Sequence, residues 1–214
     1  GEIMASNPKW CLSEADWQAV FADWVHQPDS QALMHSHIFF DFRPVFGEMP
    51  LAHALKAYVQ RLIEKQETFR SSLAYNALLN PPPLSFFRNF VVEKKGGYTD
   101  QFDVKARALS PLSDAARVLA LELLPEGFRS TEERFLDIGE QLPQQKALFQ
   151  EAAMAYGMLL QLRAKSGLEG GHSGRYIHID ALNKLEKRML RHVFDTISKI
   201  QKVLRVRYRT DFLA

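Results

Sequence analysis

An apolar run over residues 37–48 constrains the fold more than any other part of the sequence, because it is rich in Phe, Ile and Val and closes with a proline and a glycine. This composition favours a β-strand over residues 37–43. Alternation along a strand would place Asp41 and Arg43 together, opposite the apolar face. Since one strand cannot satisfy its own backbone N–H and C=O groups, we expect it to border a sheet whose other strands lie mostly outside these 214 residues.

The rest of the chain shows the spacing and the capping residues of α-helices. Ser13 followed by acidic residues predicts a first helix to about residue 26. Apolar residues at helical spacing predict five further helices, over residues 50–78, 112–124, 130–141, 144–166 and 181–208. Asp180 is the predicted N-cap of the last helix. The sequence therefore predicts a mainly α protein, with a helical bundle of about five helices from residue 49 onward.

One segment inside this helical region has a different character. Residues 89–93 and 98–104 are rich in β-formers and flank a Gly96-Gly97 pair, which favours a tight reversal. This pattern predicts a β-hairpin inserted into the bundle.

Composition limits the class of protein. The net charge of +2 gives no electrostatic argument for nucleic acid or an anionic membrane as a partner. No apolar run is long enough to span a membrane, and the first residues do not resemble a secretory signal. With Cys11 as the single cysteine there can be no internal disulfide, so we expect a reducing, cytoplasmic setting.

Two clusters of charge have both a structural and a functional interpretation. Asp41 with Arg43 is either an ion pair at a domain boundary or part of a polar active-site cleft. Lys105, Arg107 and Arg117 gather near Asp103, either as salt-bridge partners between hairpin and helix or as a cationic wall for a phosphate-bearing ligand.

Three other features favour structural interpretations. The histidines lack the partner spacing of a zinc site, so we expect no metal site. The glycine-rich loop 167–174 follows a helix C-terminus, where the helix dipole disfavours anions, and is interpreted as a connector. The basic residues of the last helix are interrupted by Glu186 and Asp195 and are typical of a solvated surface, with a nucleic-acid patch as the alternative.

Several segments, taken together and in order, resemble a known family. They are GEIMASNPKW at 1–10, FFDFRPVFG at 39–47, PLSFF at 83–87, and DVK at 103–105 followed by Pro111 and ARVLAL at 116–121. They resemble the C-terminal half of bacterial nucleotidyltransferase-like proteins, which are related to the PII-protein uridylyltransferases. These proteins are often fused to CBS and cyclic-nucleotide-binding modules.

The resemblance implies a division of the chain into two domains. Residues 1–48 would be the tail of an α/β catalytic domain, including its last strand, and residues 49–214 a helical substrate-binding domain. In the relatives a Gly-Ser turn binds the nucleoside triphosphate, and an Asp-x-Asp pair holds divalent ions for in-line attack. This sequence contains neither motif. The chain alone is therefore expected to be inactive, with Mg²⁺ and the nucleotide bound elsewhere in a full-length parent.

The resemblance also implies positions for substrate-binding residues, with no catalytic or metal-binding residue among them. Those facing the missing nucleotide site would be Ser6, Asn7, Asp41 and Arg43, and those lining the inter-domain side Lys105 and Arg117. The implied partners are the missing nucleotidyltransferase, CBS and cyclic-nucleotide-binding modules and a protein acceptor, without membrane or nucleic acid. The alternative is a non-catalytic interaction or dimerisation module that binds a partner protein or nucleic acid through the last helix.

Overall fold

The computed structural model describes residues 3–4, 6–80, 97–124 and 127–212. Eight α-helices and two short strands account for most of these residues. The elements are α1 Glu14–His26, α2 Ser30–Phe39, α3 Met49–Glu64, α4 Glu67–Ala77, β1 Gln101–Asp103, α5 Ser110–Leu123, α6 Thr131–Gln141, α7 Lys146–Gly170, β2 Tyr176–His178 and α8 Lys184–Tyr208. The predicted mainly α class is confirmed.

The chain divides into two compact units. The first contains residues 1–73 and 125–128, and the second contains residues 74–124 and 129–214. The first unit holds α1 to α3 and the beginning of α4, and the second holds the end of α4, the remaining helices and both strands.

The predicted strand over residues 37–43 is wrong, because α2 continues to Phe39 and is followed by irregular backbone. Asp29 caps α2 by accepting a hydrogen bond from the Ala32 N–H at 2.8 Å. Alternation along a strand would place Ile38 on the apolar face, but its side chain is 45% exposed. A short apolar run does not distinguish a strand from a buried helix, and no partner strand exists within residues 6–80.

Aromatic side chains form the core of the first unit. Trp10 stacks on Trp17 with ring centroids 5.8 Å apart and lies 4.4 Å from Phe39 of α2. Phe21 and Trp24, one turn apart on α1, are buried. Trp17 and Trp24 are seven residues apart, which helical periodicity places near one face of α1, and both rings contact Phe39.

The single helix predicted over residues 50–78 is two helices, α3 and α4. The break at Lys65 and Gln66 is stabilised by Arg70, whose guanidinium donates to the Ile63 carbonyl at 2.9 Å and also to the Glu64 carbonyl. Both carbonyls lie in the last turn of α3, and the Ile63 carbonyl also accepts a hydrogen bond from the Gln66 N–H at 3.0 Å.

The two strands form a small antiparallel sheet, in which Phe102 lies opposite Ile177. Both side chains are buried, and the Phe102 ring lies 5.1 Å from Phe194 of α8. The second arm of the predicted hairpin is thus a strand, but its partner β2 comes from far along the chain. The first arm, residues 89–93, lies outside the described residues.

Four helices, α5 to α8, enclose the core of the second unit. α6 packs on α7, α7 on α8, and α5 on both α6 and α8. Its largest fully buried side chains include Leu112, Leu119, Phe135, Ile138, Phe149, Leu159, Phe194 and Ile197. None of the helices in the described ranges combines the length and apolar character that crossing a membrane requires.

The predicted ends of the two longest helices are displaced. α7 continues past the predicted end at Ser166 to Gly170, and Gly171 ends it in the left-handed conformation. α8 begins three residues later than predicted. Its N-cap is Asn183, whose side chain accepts from the Glu186 N–H at 2.9 Å, whereas Asp180 lies in a 3₁₀ turn.

Candidate functional site

Ser6 and Asn7 lie at the start of the first unit, before α1. Ser6 is exposed, and the Asn7 side chain caps a 3₁₀ turn by accepting a hydrogen bond from the Lys9 N–H at 3.1 Å. The position of Asn7 therefore has a local structural explanation.

Asp41 and Arg43 lie in the irregular segment that follows α2, the first half-buried and the second exposed. The same segment receives a buried cation, Lys56 of α3. Its Nζ donates to the Phe40 carbonyl at 2.5 Å and lies 5.1 Å from the centre of the Phe42 ring. Sequence reasoning missed Lys56, because a lysine in an amphipathic helix is ordinarily a surface residue.

Lys105 and Arg117 belong to the second unit. Lys105 is exposed at the start of a π-helical turn, Lys105–Leu109, that leads into α5. Arg117 on α5 pairs with Asp114 at 3.0 Å. The predicted site residues are thus divided between the units, four in the first and two in the second, and neither unit alone holds the complete set.

A buried carboxylate organises the polar part of the second unit. Asp103, at the end of β1, is 4% exposed and accepts hydrogen bonds from Nε and Nη2 of Arg175, at 2.8 and 2.7 Å. Its other oxygen accepts from the Ala106 N–H at 2.9 Å, which caps the turn leading to α5. The carboxylate raises the pKa of Arg175, so that the guanidinium keeps its charge.

An aromatic surface adjoins this ion pair. Tyr176 of β2 stacks on Tyr98 with centroids 3.8 Å apart and an interplanar angle of 8°. The Arg175 guanidinium lies 5.1 Å from the centre of the Tyr176 ring, within the range of a cation–π contact. Tyr98 is 51% exposed. Flat rings beside a fixed cation are suited to a planar or anionic ligand group.

Only part of this arrangement is visible in the sequence. The charges around Asp103 are recognisable as a cluster, but the partner of Asp103 is Arg175, and Lys105 is exposed. Arg175 lies beyond α7, next to the glycine-rich loop. No local pattern relates it to Asp103, because the antiparallel register of β1 and β2 brings the two together.

A groove lies between α7 and α8 in the second unit. It has a volume of about 270 Å³ and a mainly apolar lining that includes Met158, Leu162 and Met189. Lys165 and Glu186, also in the lining, form an ion pair at 3.0 Å. An apolar wall with one polar pair is typical of a ligand groove.

Among the described residues no group of three or more His, Cys, Asp and Glu side chains is placed to hold a metal ion. The histidines considered in the sequence have other contacts. The His35 ring lies 5.1 Å from Trp24, and His172 Nδ1 accepts a hydrogen bond from the Gly174 N–H at 3.0 Å.

Comparison with known protein families gives two matches. Residues 67–208, about two thirds of the chain, match the family described as "Putative nucleotidyltransferase substrate binding domain". Residues 1–31 match a second family, described as "Putative nucleotidyltransferase DUF294". No curated protein and no solved structure shows significant similarity to the chain.

The second unit is a helical bundle with a polar and aromatic surface beside its small sheet. The match over residues 67–208 covers most of that bundle, and the chain belongs to this nucleotidyltransferase substrate-binding family.

Proposed function

We propose that the chain is the substrate-positioning, C-terminal part of a bacterial nucleotidyltransferase-like signal-transduction protein related to the PII-protein uridylyltransferases. The single observation that carries this proposal is the family match over residues 67–208. The second match, at residues 1–31, supports an adjoining nucleotidyltransferase domain. In the proposal this larger protein is cytoplasmic and includes CBS and cyclic-nucleotide-binding modules.

Catalysis in this proposal needs residues outside the chain. The Gly-Ser and Asp-x-Asp elements that would hold the nucleoside triphosphate and Mg²⁺ do not occur in the sequence. In this proposal the helical domain orients a protein acceptor, and fixing an acceptor in place lowers the entropic part of the barrier to transfer.

The proposed contact surface in the second unit is the polar face beside β1 and β2. Lys105 is exposed there and Arg175 is held rigidly by Asp103, so the surface offers one mobile and one fixed cation to a phosphate-bearing or acidic group. Arg43 is the proposed exposed cation of the first unit.

The test uses the full-length parent with Lys105→Met and Arg43→Met as separate variants. Both residues are exposed, so the fold should tolerate the change. We expect Lys105→Met to raise KM for the acceptor and Arg43→Met to raise KM for the nucleotide, each about tenfold, the effect of one charge-assisted contact. Steady-state kinetics with labelled nucleotide and Mg²⁺ measures both.

Arg61→Met is the matched control, since Arg61 is an exposed cation near the end of α3 that the proposal does not use. If all three variants had wild-type KM values, the proposed roles of Lys105 and Arg43 in binding would be wrong. The isolated 214-residue chain should incorporate no labelled nucleotide, and incorporation into any acceptor would contradict the division of labour.

A further inference from the structure

The last part of the chain is far more basic than the rest. Residues 184–209, which contain α8, hold nine of the 27 Lys and Arg residues but only two of the 25 Asp and Glu residues. Since the whole chain has a net charge of +2, the remaining sequence is net acidic. Overall charge therefore conceals a strong local asymmetry.

Some of the charged side chains of α8 form ion pairs with neighbouring helices. Glu186 faces α7 and pairs with Lys165, so it does not offset the basic residues of α8. Arg207 donates to both carboxylate oxygens of Glu122 on α5, at 2.8 and 3.0 Å. These side chains join α8 to its neighbours within the second unit.

Six other cations of α8 lie on its solvent side, and a seventh, Lys187, is half-buried and approaches Asp180 at 3.8 Å. The α8 basic face consists of Lys184, Arg188, Arg191, Lys199, Lys202 and Arg205, all exposed. Neighbouring cations are three or four residues apart, except between Arg191 and Lys199, where Asp195 lies on the same side of the helix, and the row extends over about 32 Å. The opposite side of the helix is buried against the core. Lys199 also approaches Glu151, at 3.8 Å.

We propose that the α8 basic face binds the phosphate backbone of a nucleic-acid duplex, without sequence specificity. The helix holds these cations at regular intervals along one line, which suits the regular spacing of backbone phosphates, and each contact releases condensed counterions. The proposal is independent of the nucleotidyltransferase assignment, because it rests on the charge and exposure of one helix.

The composition of the face favours a duplex over other polyanions. Single-strand binding uses aromatic stacking platforms. In α8, which is described in full, both aromatic residues, Phe194 and Tyr208, are buried. Protein interfaces depend on a few apolar or aromatic anchors. The exposed large apolar side chains of α8 are Leu185, Met189 and Val206, and none lies between Leu190 and Arg205, over most of the basic face.

The experiment is a salt-dependent binding titration of the 214-residue chain. Fluorescence anisotropy with a labelled DNA or RNA duplex of about 20 base pairs, twice the length of the face, gives Kd from about 30 to about 300 mM NaCl. With four to six phosphate contacts, log Kobs should fall with log salt at a slope of about −4 to −5.

The informative variant is Arg188→Gln with Lys202→Gln, which should weaken binding about tenfold or more near 100 mM salt and reduce the slope by about two. The matched control is Arg61→Gln with Lys65→Gln, which removes the same charge from exposed positions at the end of α3. It should retain most of the affinity and the wild-type slope.

Three results would overturn the proposal. They are the absence of duplex binding at low salt, equal weakening by the two double variants, and binding of polyglutamate or of phosphatidylserine vesicles as tightly as the duplex at equal anionic charge. The last result would assign the face to an acidic protein or a membrane surface instead.

Discussion

At the scale of residues, the connection between α7 and β2 depends on two glycines that differ in their surroundings. Gly171 and Gly174 both have φ of +64°. A Cβ on Gly171 would meet nothing within 4 Å, whereas a Cβ on Gly174 would collide with the backbone carbonyl of Arg163 in α7. Gly174 is therefore required for conformation and for close packing, and Gly171 for conformation alone.

This difference predicts unequal costs for the same substitution. Gly171→Ala should lower the free energy of unfolding by about 1 kcal/mol, the cost of a left-handed alanine. Gly174→Ala should lower it by about 2–4 kcal/mol, because a backbone clash is added. Urea unfolding followed by circular dichroism measures both. Equal costs would mean that the loop moves away from α7 without penalty.

The Asp103–Arg175 ion pair is expected to contribute to the stability of the second unit. Asp103→Asn removes the charge and leaves the cation beside a buried amide, which should lower the free energy of unfolding by about 2 kcal/mol. This is less than for a fully buried pair, because the Arg175 side chain is 43% exposed.

The control for that variant is Asp114→Asn, which breaks the Arg117–Asp114 pair, whose aspartate side chain is 22% exposed compared with 5% for Asp103. It should cost at most about 1 kcal/mol. If denaturant titrations gave the two variants the same cost, Asp103 would not be the organising carboxylate of this surface.

At the scale of elements, capping boxes fix where α6 and α8 begin. Ser130 with Glu133 begins α6, as the sequence pattern predicts. Asn183 with Glu186 begins α8, and Glu186 also reaches Lys165 of α7. The Asn183 N–H and then the Lys165 ammonium lower the pKa of Glu186 below its ordinary value of 4.5. One carboxylate thus serves the cap and the packing of two helices.

The lowered pKa of Glu186 predicts a pH dependence. Its contribution to stability is fully present above about pH 4.5 and is lost as pH falls through the folded-state pKa. The difference in unfolding free energy between wild type and Glu186→Gln should therefore be largest at neutral pH and shrink in acid. Denaturant titrations at several pH values measure this difference.

Asn183→Ala is the companion variant, since it removes the part of the cap that does not titrate. It should cost about 1 kcal/mol with no such decline in acid. A Glu186→Gln difference that stayed constant down to pH 3 would contradict the role given to the carboxylate.

At the scale of the whole molecule, the two compact units have separate cores. The aromatic core of the first unit holds Trp10, Trp17 and Trp24, which are all the tryptophans of the chain. The second unit holds most of the helical residues. Tryptophan fluorescence therefore reports on the first unit, and circular dichroism mainly on the second.

Separate cores predict separable unfolding. Phe194→Ala should destabilise the second unit by about 3–5 kcal/mol, because Phe194 is fully buried. It should lower the denaturation midpoint seen by circular dichroism and leave the fluorescence midpoint unchanged. Phe21→Ala, in the core of the first unit, should do the reverse. Midpoints that shift together in both variants would show that the units unfold as one.

Local sequence patterns determined the helical class, most helix positions and the Ser130 cap, because periodicity and capping act within a few residues. The same information was insufficient for residues 37–43, since an apolar run of that length is compatible with a buried helix. It also placed the start of α8 at Asp180, because several polar residues near a helix start can serve as the cap.

Tertiary structure decided the features that depend on distant residues. The pairing of β1 with β2, the partner of Asp103 and the burial of Lys56 all join segments far apart in sequence, and no local spacing records such contacts. The family resemblance was readable from ordered motifs in the chain. By contrast, which cations of α8 pair with neighbouring helices and which face solvent was decided by packing, because each charge takes its role from the elements around it.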